Sequence, residues 1–502
     1  MMSLSVRICL SNLFSSLKYS SSERCMMSPV CLSVTENRED IPLKQGKKSR
    51  KWYACNEDLF SGSKYITFAF STLTIIITLA LLIQIYYGDY QVVPHGSVAT
   101  DSLECSKIGT TILKNGGNAV DAAIASAFCL SVVTPHVTGL DAEGHLLIYD
   151  HKTRLPPNVI DFSDSSAVSE HLPRLILGLA FTHKHFGRLP WKDLVEPAAL
   201  LARQGYVVSP MLVKAITISK SEDLYGQLEP GQLLLQEYLA ATLDKISSIS
   251  EDELYNFLNE MNRPQITQAN QVTFNKHYVF VPSSTSIGPL VGSALNKIAK
   301  LNFTKEESQQ PEYLYHLADI SKTMFIENQM DLKFHHGTFS NVAVIDKDDK
   351  YVSLVTGMYG LFGSGEMTAH GYVLDVKNKT KPSSRVAMIV TDGILICGRR
   401  MVFGANDLTS STEMITSLLT ANENITESIE APRFYILTNG TMGTERAHSP
   451  YFSNETIKYF KLITPDPIPV AEPYQSINIV EKVKDNLSSH SDSRGGGIAV
   501  RF

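Results

Sequence analysis

Two imidazoles and two hydroxyls crowd one short stretch of this 502-residue chain, His335-His336-Gly337-Thr338-Phe339-Ser340-Asn341. A hydroxyl is a weak nucleophile until a base takes its proton, so Thr338 and Ser340 could attack a carbonyl only with such a base beside them. Otherwise they read as strand-edge hydroxyls. Farther on, Asp375 and the pair Ser383-Ser384 after Pro382 offer a carboxylate and two more hydroxyls, which read equally as a strand-end acid and a polar turn. Cys105 and Cys129 fall within apolar helical patterns and read as buried small hydrophobes rather than nucleophiles. With Cys397 they make three beyond residue 100, an odd number for a disulfide framework. The spacing shows no CxxC or CxxxH cluster, so neither a metal nor a cofactor is expected.

The surrounding pattern indicates what positions these groups. Cys105, Ile108 and Ile112 recur at helical spacing before Asn115-Gly116-Gly117, where glycine can end a helix. Asn118 is the expected N-cap of a second helix. Asp121, three residues on, can reach back to the free N–H groups and complement the dipole. The small residues Ala122, Ala123, Ala125, Ser126 and Ala127 let that helix pack closely, and Pro135 lies beyond its end. Leu146 to Tyr149 reads as a buried strand, and Leu172 to Phe186, Leu194 to Arg203, Ser321 to Met330 and Thr409 to Thr420 read as helices. Asn341 to Ile345 and Tyr351 to Val355 are apolar runs separated by Asp346-Lys347-Asp348-Asp349-Lys350. They predict a hairpin of strands buried on both faces, within sheets enclosed by helices. No long repeat is present.

Tyr65 to Tyr87 carries no charged side chain, which is enough to cross a hydrocarbon core of about 30 Å. The segment begins too far into the chain for a cleaved signal peptide and predicts a transmembrane signal anchor. Residues 1–64 hold ten Lys/Arg against six Asp/Glu, so a cytosolic N-terminus is expected. This tail is Ser-rich and basic and is expected to be flexible, with Lys44 to Lys51 able to meet anionic lipid. Residues 88–97 would form a stalk and 98–502 a domain on the far side. Sequons at Asn302, Asn378, Asn424, Asn439, Asn454 and Asn486 all lie beyond the apolar segment, as glycosylation of an exported domain requires. The acidic balance of that domain argues against nucleic acid as a partner.

Gly116-Gly117-Asn118-Ala119-Val120-Asp121-Ala122-Ala123-Ile124-Ala125, Gly187-Arg188-Leu189-Pro190-Trp191, Leu201-Ala202-Arg203-Gln204-Gly205-Tyr206 and Asp492-Ser493-Arg494-Gly495-Gly496-Gly497 resemble the γ-glutamyltransferase (glutathione hydrolase) family, over about Val98 to Gly497. The length and the substituted site resemble the short, divergent branch of it. The resemblance implies an α+β fold, a four-layer αββα sandwich of the N-terminal-nucleophile hydrolase type preceded by one transmembrane helix. It also implies self-cleavage, so that a threonine starts a small subunit and its own α-amine becomes the base. Residues 98–337 would then be large-subunit-like and 338–502 small-subunit-like, the two forming a pair only if the cut occurs.

The implied active site departs from the family at many positions. Counting back from Phe362-Gly363-Ser364 by the family's spacing lands on Phe339, with Asn341 and Ala343 where a histidine and a hydroxyl belong. Thr338 takes the role if the hairpin turn holds one more residue, and Ser340 is the second candidate. The arginine expected to hold a substrate carboxylate is absent from Val159-Ile160-Asp161-Phe162-Ser163-Asp164, and Arg154 precedes Pro156-Pro157 in a turn. A glycine run has become Gly139-Leu140-Asp141-Ala142-Glu143-Gly144. The oxyanion glycines have become Asn406-Asp407 or Asp407-Leu408, and the positions that support the nucleophile hold Gly357 and Tyr359. Ser383, Ser384 and Asp375 still match substrate-contacting positions.

Two functions follow. In the first the domain acts on glutathione or other γ-glutamyl compounds, with activity weak or lost because a cooperating set is broken. In the second it is a non-catalytic module that binds a small γ-glutamyl or amino-acid ligand or a protein.

Overall fold

The computed structural model describes residues 56–87, 94–163, 173–250, 253–254, 264–283, 286–376 and 381–502, with side chains described for 64–83 of the first segment. Residues 1–55, which make up most of the expected tail, lie outside the described residues, as do Asp164 and the sequon residue Asn378. Two units divide the chain near residue 92. The first contributes helix α1, Asn56–Tyr87, whose Lys64–Ile83 stretch has a mean hydropathy of 2.4 and is long and apolar enough to cross a membrane. Within it the hydroxyls of Thr72, Thr74 and Thr78 donate to the carbonyls of Phe68, Phe70 and Thr74. A hydroxyl bonded to the preceding turn needs no water.

In the second unit alternation decides the layering. Strands β1 (Ser97–Ala99), β2 (Glu143–Asp150), β3 (Asn158–Asp161), β4 (Ile266–Gln268), β5 (Asn270–Phe274), β6 (His277–Val281), β7 (Ser340–Ile345), β8 (Lys350–Gly357), β9 (Val386–Asp392), β10 (Arg399–Ala405), β11 (Ile479–Val483), β12 (Asn486–His490) and β13 (Val500–Arg501) form two antiparallel sheets. Their orders are β13-β1-β7-β8-β2-β3-β4 and β12-β11-β10-β9-β6-β5. The expected hairpin forms, with Val352 opposite Val344 and Ser353 opposite Ala343. Ala343 and Ile345 share a core with Ala387, Ile389, Val402 and Val480 of the other sheet. Their neighbours Val342 and Val344 face the other way, against helices. The second sheet turns Val386, Met388, Met401 and Phe403 to helices of its own. Period-two burial on both faces explains why these strands read as unbroken apolar runs.

Helices α2 (Leu103–Lys114), α3 (Ala119–Val133), α4 (Arg174–Phe186) and α5 (Trp191–Gln204) contribute to the core against the first sheet. Gly109 has no side chain where a Cβ would lie 2.4 Å from Ser126 Oγ, so α2 and α3 approach closely. Cys105 and Cys129 are buried there as expected, but they are bonded to each other. The odd count of three masked a pair. Asn118 and Asp121 form a reciprocal capping box on α3. Asp121 also accepts the N–H groups of Arg188 and Leu189 at 3.0 and 3.2 Å, and Asn118 Nδ2 donates to Phe186 O at 2.7 Å. Two of the sequence strings are thus one hydrogen-bonded corner. Asp346 of the hairpin turn accepts Ala119 N–H at 2.9 Å and ties that corner to β7 and β8.

On the other side lie α6 (Gly288–Ala299), α7 (Pro311–Glu327), α8 (Leu408–Thr416) and α9 (Asn454–Ile463). The helix expected at Ser321 to Met330 is α7, which starts ten residues earlier at Pro311 and stops at Glu327. Proline at the first position is compatible with a helix start, and Gln329 (φ 52°) adopts the left-handed conformation that breaks the chain from the next turn. Residues Ser417–Ala421 continue α8 as a π turn rather than an α-helix.

Candidate functional site

Thr338 lies in the loop before β7 rather than in a strand, and is half-buried. Its N–H donates to Met358 O at 3.0 Å. Its hydroxyl donates to Val137 O at 2.6 Å and accepts Met358 N–H at 2.8 Å. Arg385 Nε donates to its carbonyl at 2.6 Å. None of these partners is a base. Phe339, the position reached by counting, is buried between the sheets, because alternate residues from 339 to 345 face that inner core. Asn341, on the same face, exchanges hydrogen bonds with Asn478, donating to its carbonyl at 2.8 Å and accepting its N–H at 2.9 Å.

Ser340 opens β7, a strand inside the sheet rather than at its edge, and its hydroxyl donates to Asp101. The Asp101 carboxylate also accepts from Ser476 and, at 2.6 Å, from Asn478 Nδ2. Burial raises the Asp101 pKa to about 6 despite these three hydrogen bonds. Such a carboxylate orders the strand start but is itself fully engaged.

Around Thr338 the charged groups interlock. Glu143, buried in β2, receives Arg385 Nη1 at 2.7 Å, and His335 Nε2 lies 3.1 Å from the same oxygen. Arg385 Nη2 donates to Met358 O at 2.7 Å. Glycines make room for this guanidinium: a Cβ on Gly337 would lie 2.5 Å from Nη2, and one on Gly357 would lie 2.8 Å from Nε. Arg174, the first residue of α4, reaches Asp375 at 2.9 Å and Asp141 at 3.4 Å. Asp375 is buried in a loop rather than at a strand end, and its other oxygen accepts the N–H groups of Tyr359 and Val376 at 2.8 Å each. His335 donates from Nδ1 to Lys381 O, and its ring stacks on Tyr359 at 4.7 Å.

The serines are also turned inward. Ser383 Oγ accepts Arg385 N–H at 3.1 Å, while Ser384 Oγ contacts His335 O, His336 Nδ1 and Asn406 Oδ1 at 3.2 to 3.3 Å. Asn406 Nδ2 donates to Gly337 O at 3.0 Å. That is the carbonyl of the bond whose scission would free Thr338. Asp407 caps α8 through Ser410 N–H. Arg154 is exposed in a left-handed turn (φ 56°). The structure therefore brings Thr338, Ser383, Ser384 and Asp375 into one hydrogen-bonded region and leaves Ser340 in a separate one with Asp101. Of the sequon asparagines, Asn302, Asn424, Asn439, Asn454 and Asn486 are all exposed.

Sequence reading missed Arg174 and Arg385, the two cations at the centre. One signal was available. Asp141 and Glu143 stand at the start of a buried strand, Glu143 as its first residue, and a buried carboxylate requires a donor or a cation.

Several known proteins are similar to this chain. A family model described as gamma-glutamyltranspeptidase matches residues 105–174 and 164–261. The chain is 24% identical to glutathione hydrolase 7 of Homo sapiens over 544 aligned positions, covering 82% of this chain and 81% of that protein. It is 31% identical to glutathione hydrolase 6 of Bos taurus over a shorter stretch, 39% of this chain and 44% of the relative. Among solved structures, a cephalosporin acylase from Bacillus halodurans superposes with a TM-score of 0.66 at 16% identity, covering 82% of this chain and 96% of its own. That likeness concerns the mixed helix-and-sheet fold.

Proposed function

Because the chain belongs to the γ-glutamyltransferase family, we propose that it is a membrane-anchored member in which hydrolysis of glutathione, and transfer of its γ-glutamyl group to water, amino acids or peptides, survives at most as a trace. The two sheets and their helices are read as the four-layer αββα arrangement of N-terminal-nucleophile hydrolases. Helix α1 is read as a signal anchor with the N-terminus cytosolic, and the exposed sequon asparagines as glycan acceptors on an extracellular or lumenal domain.

One observation carries the loss of activity: the Thr338 hydroxyl is held by Val137 O and Met358 N–H, and Arg385 grips the carbonyl of the same residue. To attack, the hydroxyl would have to give up its bond to Val137 O, while the carbonyl, which stays on the Phe339 side of any cut, remains held by Arg385. The reading predicts one uncut chain on a denaturing gel. Two fragments, with the smaller beginning at Thr338, would overturn it. So would steady glutamate release from glutathione, or turnover of a γ-glutamyl anilide that Thr338→Ala abolishes and Ser340→Ala spares.

A second reading, retention of amino-acid binding without turnover, is favoured by Arg174. Its Nη1 is buried, makes no hydrogen bond and lies 3.8 Å from Glu143, while Nη2 is held by Asp375 at 2.9 Å, so one guanidinium N–H is left to meet a ligand carboxylate. Equilibrium dialysis with radiolabelled glutamate and glutathione tests it, with Arg174→Met as the control that should abolish retention.

A further inference from the structure

A cavity of about 480 Å³ opens on the helical side of the second sheet, among α7, α8, the π turn at Ser417–Ala421 and the start of α9. It shares no lining residue with the Thr338 network. Cavities of this size suit a small organic molecule. Its wall is largely apolar, with Leu314, Leu317, Met414 and Phe452 contributing. The π turn adds one residue to the helical repeat at its lip, a distortion often found where a helix makes room for a ligand.

Two carboxyl groups border this apolar space. Glu413 Oε2 is buried and makes no hydrogen bond, and the buried hydroxyl of Tyr313 faces Thr416 and Thr420. Glu423 accepts from the hydroxyls of Ser417 and Ser428. Neither glutamate has a cationic partner among the described residues. The one cation in the wall, Arg433, is committed elsewhere: it pairs with Asp492 at 2.6 Å and donates to Gln475 O and Ile429 O. An unpaired carboxyl in an apolar enclosure is costly unless it stays protonated or meets a cation.

We propose that this cavity binds a small apolar amine, whose ammonium group pairs with Glu413 while its hydrocarbon body lies against Leu314, Leu317, Met414 and Phe452. Without a ligand, burial holds the Glu413 pKa well above the carboxylate range. Asp407 and Glu445 add to that effect, and Arg433 opposes it. Burial thus favours the neutral acid while the cavity is empty. An ammonium ion entering the cavity favours the carboxylate, so a proton held by Glu413 passes to solvent and the pair formed is carboxylate with ammonium.

The test uses the full-length glycosylated protein in detergent, with protein-free micelles as the blank, and titrates 4-phenylbutylamine, 4-phenylbutan-1-ol and 4-phenylbutanoate by calorimetry. The amine should bind at least tenfold more tightly than the alcohol, a gap of about 1.4 kcal/mol, and the butanoate should not bind. Heats in phosphate and Tris should differ, with the sign of proton release to the buffer. Glu413→Gln should lower amine affinity at least tenfold, remove the buffer dependence and leave the alcohol unaffected. Leu314→Trp, at the half-buried wall, should abolish amine binding by filling the space, which decides the matter if Glu413→Gln does not fold. Equal affinity for amine and alcohol, no amine binding at millimolar concentration, or binding that survives Leu314→Trp would each overturn the proposal. None of these outcomes depends on whether the chain is cut at Thr338.

Discussion

Asp121 and Glu143 are both buried carboxylates, but they are satisfied in opposite ways. Asp121 sits at a helix start and collects backbone N–H groups from Asn118, Arg188 and Leu189. Glu143 sits inside a sheet and is answered by Arg385, His335 and, at 3.8 Å, Arg174, charged or chargeable side chains from other parts of the chain. The first arrangement spends neutral dipoles that the backbone already has to place somewhere. The second removes whole ions from water, and holds only while each ion keeps its partner. A corner of the Asp121 kind therefore supports the fold, whereas a network of the Glu143 kind fills the space around Thr338 with paired ions.

The sharpest way to break that contrast is Arg385→Met. It takes away the closest cation of buried Glu143, leaving the His335 imidazole and, at 3.8 Å, the Arg174 guanidinium, and truncating one side of a buried pair typically costs 3–5 kcal/mol, so a loss of about 3 kcal/mol in unfolding free energy is expected from urea titration. The double variant Arg385→Met with Glu143→Gln should recover most of it. If the single variant is neutral, the network is not what fills the site.

Acid should expose the same region next. Burial lowers His136 and His145 from 6.5 to about 4, and His145 Nε2 accepts Ala387 N–H across the two sheets. The unfolded chain takes up protons at these positions first, so their contribution is complete above pH 6.5 and falls as pH drops towards 4, by about 3 kcal/mol each. Asp101 works in the other direction. Its folded value of about 6 exceeds the unfolded 3.8, so its contribution is complete below 3.8 and disappears as pH rises through 6. Two groups lose and one gains over this window, and thermal unfolding should show a net loss of stability between pH 6.5 and 4. His136→Gln should remove most of that loss, because the contributions of His145 and Asp101 then nearly cancel. An unchanged slope would mean that His136 is not held neutral.

What could be read from the sequence follows the same division. The capping box, the two helices of the corner, the hairpin and the doubly buried strands depend on residues within a turn or a strand of one another, so periodicity and cap chemistry locate them. Asn118 and Asp121 were legible for this reason. Glu143 and Arg385 are 242 positions apart, and nothing local in either stretch indicates that they meet. Arg174 was hidden similarly, because its partners Asp141 and Asp375 come from two other loops. The disulfide escaped because counting thiols says nothing about which two helices pack together. Thr338, Ser383 and Ser384 were legible as polar groups but not as partners, since their hydrogen bonds run to backbone atoms and, for Ser384, also to His336 and Asn406, none of which a sequence places.

The corner should respond in a graded way, which sharpens the comparison from its other side. Asp121→Asn keeps the shape but exchanges one acceptor oxygen for a donor that faces backbone N–H groups, and hydrogen bonds to a charged group are worth about 1.5–3 kcal/mol. A loss of about 2 kcal/mol in the same urea titration is expected. Asn118→Ala removes the cap on Val120 and Asp121 together with the bond to Phe186 O, but leaves no ion stranded, so the cost should be about 1 kcal/mol. Arg385→Met, Asp121→Asn and Asn118→Ala should therefore rank in that order. The ranking would fail if Asn118→Ala equalled Arg385→Met. In that event the corner itself would be the weak point of the domain, and an ion network around Thr338 could be dissolved at little cost, leaving the loop free to open for chemistry.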